Sequence, residues 1–306
     1  MKKVISIGGP TATGKTALSI KLARYFDTEI ISGDSRQFYQ EMKIGTAVPT
    51  AEELAAAPHH FIQHKSIFET YTVGDFEKDF LQLTDKLFEK KDIVILVGGS
   101  GLFLDAACKG LDDLPPKNEQ IRKELEENLQ KNGIKSLQDE LISLDEEFYQ
   151  KIDIQNPHRL IRAIEILRQS NGKKMSEIRS GKTQKRNFDC ISIALNTERP
   201  LLYERINKRV DNMINEGLLE EAEKLLPHKA LNPLNTVGYK ELFAYFEGKT
   251  DLDFAISEIK KNTRRFAKRQ ITWFKRNPDI KWFDTDYDLD EIVKYLETEF
   301  LPDGKH

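Results

Sequence analysis

KKVISIGGPTATGKTALSIKLARYF, residues 2–26, constrains this chain more than any other stretch. Gly9, Gly14, Lys15 and Thr16 fill G-x-x-x-x-G-K-[ST] without a mismatch. A short apolar run, Lys3-Val4-Ile5-Ser6-Ile7, precedes the motif, and residues 17–26 carry apolar side chains at helical spacing (Leu18, Leu22, Tyr25, Phe26). Such a loop sits between a strand and a helix N-terminus, where backbone N–H groups and the helix dipole attract an anion. Gly9, Pro10, Thr11, Ala12, Thr13 and Gly14 would line the cradle, Lys15 would reach the terminal phosphate, and Thr16 would ligate Mg²⁺. A chance glycine-rich turn is the plain alternative. The loop does not name its phosphate donor.

The 306 residues leave room for about two domains with a sizeable core. Apolar residues at 39% and charged residues at 32% describe a globular chain and exclude a disordered one. A net charge of −3 argues neither for nor against nucleic acid, so charge distribution has to decide. Cys108 and Cys190 stand in apolar settings without a Cys-x-x-Cys partner, which suits a reducing compartment and excludes a cysteine zinc site. His59, His60 and His64 could be read as a metal trio, but no carboxylate pattern accompanies them. No apolar run approaches the roughly 18 residues that span a bilayer. Met1-Lys2-Lys3 opens like a signal peptide, yet its apolar stretch stops at Gly8-Gly9. A cytoplasmic protein is expected, with no membrane partner.

The first third alternates strands and helices. Glu29-Ile30-Ile31-Ser32 runs into GDSRQFYQ, and Asp92-Ile93-Val94-Ile95-Leu96-Val97 runs into GGSGLF. Strands separated by helical stretches imply a parallel sheet with its site at the carboxyl ends of the strands, where these turns should converge. Composition shifts at Asp112-Asp113-Leu114-Pro115-Pro116. From there to about residue 187 only amphipathic helices are legible, the last of them starting at Asn156-Pro157 and ending at Asn171-Gly172. RSGKTQKRN (179–187) is a basic loop, FDCISIAL (188–195) has strand character, and helices follow to the end. The expected fold is therefore α/β: a P-loop parallel sheet core flanked by helices, residues 1–114 and 188–306, with an inserted all-helical domain, residues 115–187.

KKNTRRFAKRQITWFKR (260–276) carries eight Lys/Arg and no acid. Ile259, Phe266 and Trp273 lie seven apart and should share one face, with the bases spread over the remainder. Most charge runs are solvated faces, but a single-sign stripe suits a phosphate backbone. A nucleotide-hydrolysing P-loop protein normally ends an apolar strand in an aspartate. DIVILV instead runs into Gly98-Gly99-Ser100. The other acid at a strand end is Asp34, followed by the polar Ser35, Gln37 and Tyr39. It reads either as a helix cap or as an acid or base beside the phosphate loop. Arg205 and Arg209 share a helix face and could grip a diphosphate, or pair with Glu204 or Glu220.

GPTATGKT, ISGDSRQFYQEMKIGTAVP, GGSGLF, QNPHRLIRAIEI, ERINKRV, MINEGL, NTVGYKEL and TRRFAKRQITWFKRNP together resemble, in order, the blocks of the bacterial tRNA dimethylallyltransferases (tRNA isopentenyltransferases). They span residue 9 to about residue 278. Ser100 stands where threonine is usual, Phe103 where tyrosine is usual, and Val48 where lysine is common. The resemblance implies that the loop holds the diphosphate of dimethylallyl pyrophosphate, with Mg²⁺ at Thr16. It implies transfer of the prenyl group to the exocyclic N6 amine of the adenosine 3′ to the anticodon, in tRNAs reading codons that begin with U. Asp34 matches the general base, and Ser100 the hydroxyl assisting at the bridging oxygen. Asp34, Ser35, Arg36 and Gln37 match the acceptor-reading segment, while Ser100, Arg122, Asn156 and Arg159 match positions that contact tRNA. Lys268 and Arg269 in the basic helix are expected to meet RNA phosphates. The tRNA anticodon stem-loop and dimethylallyl pyrophosphate are the expected partners, and a monomer is expected.

Three other readings share parts of this pattern: an adenylate isopentenyltransferase acting on a free nucleotide, a P-loop small-molecule kinase, and an RNA-binding module with a vestigial loop. The helical insertion and basic helix favour tRNA over a mononucleotide. Intact Lys15 and Thr16 argue against a decayed loop.

Overall fold

The computed structural model describes residues 2–179 and 184–300. The chain begins β1 (Lys3–Gly8), α1 (Lys15–Tyr25), β2 (Ile30–Ser32), α2 (Ala51–Ala56), β3 (His59–His60), α3 (Val73–Leu87), β4 (Ile93–Val97) and α4 (Gly101–Lys109). Five helices follow: α5 (Glu119–Asn132), α6 (Ile134–Leu144), α7 (Glu146–Tyr149), α8 (Pro157–Arg168) and α9 (Met175–Ile178). The chain then forms β5 (Asp189–Asn196), α10 (Arg199–Asn215), α11 (Leu218–Leu225), α12 (Tyr239–Phe246), α13 (Leu252–Phe274), β6 (Lys281–Asp284) and α14 (Leu289–Phe300).

All strands pair in parallel in the order β3-β2-β4-β1-β5-β6. β1 is central, with Ile5 opposite Ile95 on one side and Ile191 on the other. Alternate side chains of the inner strands feed two apolar layers. Val4, Val94 and Leu96 pack under α3, α4 and the C-terminal helices, while Ile5, Ile7, Ile95 and Ile193 pack against α1 and α14. Burial on both faces is why these strands read as unbroken apolar runs. The α3 start is fixed by a capping box between Thr72 and Asp75.

The sequence reading missed β3 and β6, and put helices alone after residue 195. Both are edge strands, short and only partly covered, so neither needs an apolar run. Residues 34–40 form turns and no helix, so Asp34 caps nothing. In α13 the buried positions are Ala255, Ile259, Ala267, Gln270 and Phe274, whereas Phe266 is exposed. Of the expected stripe, Ile259 is buried, Trp273 only partly buried and Phe266 exposed.

Packing divides the chain into two compact units, Met1–Gly110 with Lys185–His306, and Leu111–Gln184. Among its described residues the second unit has helices and no strand, and it has its own core of Leu125, Leu137, Leu141, Leu160, Ile164 and Ile166. Buried Glu165 fastens it, accepting from Asn118 N–H (2.6 Å), Arg122 (3.1 Å) and Arg162 (2.8 Å). Of the basic loop expected at 179–187, residues 180–183 lie outside the described residues. In the first unit Cys108 of α4 and Cys190 of β5 are joined as a disulfide, a pairing the sequence reading did not foresee. Among the histidines read as a metal trio, His60 is paired with Glu29 (2.6 Å), His59 Nδ1 lies 2.7 Å from the Ala57 carbonyl oxygen, and His64 sits against Phe38, Phe61 and Tyr71.

Candidate active site

β1 ends at Gly8, and residues 9–14 turn back over the carboxyl edge of the sheet to start α1 at Lys15. Gly9 has φ 124°, and a Cβ there would collide with the Leu195 carbonyl of β5, so no other residue fits. Thr13 Oγ1 donates to the Pro10 carbonyl (2.8 Å), and so does Lys15 Nζ (2.6 Å), which folds the ammonium over the loop. Burial pushes Lys15 down to about 8, with Asp34 opposing the shift and Arg209 adding to it. Thr16 lies at the start of α1, half-buried, its hydroxyl without a protein partner among the described residues.

The turns after β2 and β4 complete the edge. Asp34 follows β2; its Oδ1 accepts from Arg36 N–H (3.1 Å), and its Oδ2 accepts no hydrogen bond from the described residues. The carboxylate therefore keeps one oxygen for local turn geometry and leaves the other available. Ser100 follows β4. Its Oγ accepts from Ser35 N–H (3.2 Å) and lies 3.0 Å from Ser35 Oγ, joining the two turns. Arg36 points away, donating to the carbonyls of Asn232 and Pro233 (3.4 and 3.1 Å). Gln37 Nε2 donates to the carbonyls of Thr46 and Ala47 (3.3 and 2.9 Å), and Ser32 Oγ donates to its Oε1 (3.3 Å).

α10 supplies the remaining charge. Burial lowers Arg209 from its ordinary value, while the charges of Asp34, Glu53 and Glu216 act against that shift. Lys15, Asp34 and Arg209 thus share one electrostatic neighbourhood at the loop. Arg205 lies one turn earlier on α10. Neither arginine forms an ion pair among the described residues, so the pairing with Glu204 or Glu220 is absent there.

Two polar residues that sequence reasoning did not single out organise this edge. Gln270, on α13, accepts from Thr11 N–H (2.9 Å) and donates to the Gly99 carbonyl (2.9 Å). Glu221, on α11, accepts from the backbone N–H groups of Lys43, Ile44 and Gly45 and from the Tyr239 hydroxyl (2.6 Å). Glu221 thereby pins the loop whose carbonyls at 46 and 47 hold Gln37. No local signal in the sequence could have revealed the bonds of Gln270 to Thr11 and Gly99 or of Glu221 to residues 43–45, because each spans well over a hundred residues.

The expected RNA-contacting residues fall on both units. On α13, Lys260 pairs with Asp211 (2.6 Å), Lys261 with Glu258 (2.8 Å), and Arg264 with Asn207 (2.7 Å). Lys268, Arg269, Lys275 and Arg276 remain exposed, as does Arg265, which donates to Asn262. In the helical unit Arg122 is held by Glu165, and Asn156 caps α8 by accepting from Arg159 N–H (3.3 Å). The Arg159 guanidinium is exposed, 3.9 Å from Asp153.

Residues 37–277 match the family model for IPP transferase. The chain belongs to the IPP transferase family of tRNA dimethylallyltransferases. It is 57% identical over 296 residues to the tRNA dimethylallyltransferase of Christiangramia forsetii, covering 97% of this chain and 98% of that one. A Bacteroides fragilis member, tRNA dimethylallyltransferase 1, is 45% identical with the same coverage. Among solved structures, the full-length tRNA isopentenylpyrophosphate transferase of Bacillus halodurans is similar with TM-score 0.71 and 37% identity, over 98% of this chain and 95% of that one. A eukaryotic dimethylallyltransferase captured acting on tRNA has TM-score 0.76 and 25% identity, over 98% of this chain and 77% of that one. The prenyltransferase fold therefore extends through the helical unit as well as the sheet. Among the described residues, no helix is long and apolar enough to cross a membrane.

Proposed function

We propose that this enzyme transfers a dimethylallyl group from dimethylallyl pyrophosphate to the exocyclic N6 amine of the adenosine 3′ to the anticodon, in tRNAs reading codons that begin with U. The observation that carries the reading is the grouping of Lys15, Asp34 and Arg209 at the phosphate loop, two cations for a diphosphate and one carboxylate with a free oxygen. The amine nitrogen attacks C1 of the donor as the C1–O bond breaks, and the electron pair leaves on the diphosphate. Asp34 Oδ2 takes the amine proton, needed because an aromatic amine is a poor nucleophile. Lys15, Arg209 and the backbone N–H groups of residues 12–16 receive the growing charge on the leaving group, with Arg205 reinforcing them from one turn away. The Ser100 hydroxyl assists at the bridging oxygen.

The donor set fits Mg²⁺: a free hydroxyl at Thr16 beside a diphosphate site suits an ion that takes few protein ligands and completes its shell with phosphate oxygens and water. Bound there, it would neutralise diphosphate charge. Ser35, Arg36 and Gln37 form the segment that reads the acceptor base, and an unpaired loop base can be splayed out and read on its edges. Lys268 and Arg269 meet the phosphate backbone, and Arg122, Asn156 and Arg159 on the helical unit contribute further RNA contacts. Residues 115–187 are thus read as the tRNA-binding insertion of a monomeric, cytoplasmic enzyme. The test offers labelled dimethylallyl pyrophosphate or ATP with tRNA or AMP. Prenyl-tRNA should be the product; prenyl-AMP or a phosphorylated acceptor in its place would overturn the assignment.

A further inference from the structure

Gln270 is a polar side chain only 6% exposed, on the inner face of a helix whose outer face is basic. A buried carboxamide needs partners, and this one has two on different segments of the site. Its Oε1 accepts from Thr11 N–H in the phosphate loop, and its Nε2 donates to the Gly99 carbonyl, one residue before Ser100. The orientation is forced, since a backbone N–H can only donate and a carbonyl can only accept. Packing at Gly99 is equally tight: a Cβ there would collide with Gln270 Nε2 and lie 3.7 Å from Asp34 Oδ2. One amide group thus touches the donor loop and the Ser100 turn beside the Asp34 carboxylate. Exposed Lys268 and Arg269 precede it directly in the chain.

We propose that Gln270 is a positioning residue for prenyl transfer, holding the diphosphate loop and the Gly99–Ser100 turn in register with each other and with the basic helix. This rests on the function proposed above. Leaving-group charge falls on the loop, while proton removal and hydroxyl assistance come from the Asp34 and Ser100 turns. A shift between them separates the ends of one reaction coordinate, and displacements of about 1 Å can cost about a hundredfold in rate. Glutamine meets the requirement because it accepts and donates from one planar group. Glutamate does so only when protonated, since its ionised form would face the Gly99 carbonyl oxygen and the Asp34 carboxylate.

That difference supplies the test. Single-turnover rates with dimethylallyl pyrophosphate, Mg²⁺ and tRNA are measured from about pH 6 to 8.5 for the full-length wild type, Gln270→Glu and Gln270→Leu, alongside thermal melting and tRNA affinity. Asp34 after β2, Lys15 on α1, Arg209 on α10, and Lys268 and Arg269 on α13 are the same in all three proteins, so the informative quantity is the rate relative to wild type. Gln270→Glu should fall about ten- to hundredfold at the alkaline end and recover as pH drops, because protonation restores the donor to Gly99. Gln270→Leu should be slow at every pH, with tRNA affinity retained. A flat Gln270→Glu ratio, or a Gln270→Leu enzyme at wild-type rate, overturns the proposal. If Gln270→Glu fails to fold, the Gln270→Leu rate decides alone. A wild type that does not prenylate tRNA refutes the functional reading instead, and the two failures are separately visible.

Discussion

Donor binding should carry a pH dependence set by Lys15. Its folded, ligand-free value is about 8, well below the ordinary 10.5, because burial removes water from the ammonium. A diphosphate needs the protonated form, and a bound diphosphate stabilises that form. The apparent Kd should therefore scale as 1 + 10^(pH − 8) in the alkaline range. Between about pH 7 and pH 9 this is a tenfold weakening, about 1.4 kcal/mol. A lysine at 10.5 would give almost none over the same interval. The donor's own charge is nearly constant there, since terminal phosphates lose their last proton near about pH 6. The assay is calorimetry with a non-reactive dimethylallyl diphosphate analogue at fixed Mg²⁺, without tRNA, alongside Lys15→Arg, whose guanidinium stays charged and whose profile should be flat. The stability contribution of the same group has the opposite sign. Between about pH 8 and 10.5 the unfolded chain binds the Lys15 proton and the folded chain does not, so this group adds stability as pH rises. Alkaline unfolding is thereby distinguished from loss of the ligand-binding proton. A wild-type affinity that is flat from pH 7 to 9 would refute the reasoning.

Asp34→Asn should leave donor and tRNA affinities within a few-fold and lower the single-turnover rate by about 10²–10⁴, because the amide cannot take the amine proton; a near-normal rate would return Asp34 to a turn-forming role. Replacing Lys268 and Arg269 by alanine should weaken tRNA binding and reduce the slope of log K against log salt by about one to two units, with donor affinity unchanged. An unaltered salt slope in filter binding would mean this face meets only solvent. Tyr239→Phe removes a buried hydroxyl bonded to the Glu221 carboxylate, and should lower unfolding free energy by about 1.5–3 kcal/mol in urea melts. It should also raise the KM for tRNA more than it lowers kcat, since the loop that Glu221 holds supports Gln37; an unchanged KM would dissociate that loop from acceptor reading.

The parts of this molecule visible in its sequence are those whose physics is local or periodic. β1, β4 and β5 are covered on both faces, and burial demands the Val/Ile runs by which they were recognised. The phosphate loop is legible because its glycines answer backbone requirements a few residues wide, as Gly9 shows against β5. β3 and β6 escaped notice because an edge strand is selected by pairing on one side only. His59-His60 and Lys281–Asp284 carry no pattern that differs from loop. The charge stripe on α13 was visible, but not its thinning by Asp211 and Asn207, which come from α10. Asn156 and Arg122 show the converse, since residues expected to touch RNA also cap a helix and neutralise a buried glutamate.

The missing carboxylate at the end of β4 now has a physical account. In P-loop enzymes that cleave a terminal phosphate, an aspartate at a strand end helps hold the metal that neutralises charge on the transferred phosphoryl group. Here the residue at that edge is Gly99, and its Cβ position is taken by the Gln270 amide. Any side chain there would displace the bond that ties α13 to this turn. In the proposed reaction nothing is lost by the substitution, because the bond that breaks lies between carbon and the bridging oxygen, and the phosphorus atoms act only as leaving group. The difficult proton sits on the acceptor, one strand further out, where Asp34 ends β2 with one oxygen free. In that proposed reaction the same scaffold keeps its anion cradle and moves its acid from the metal side to the acceptor side.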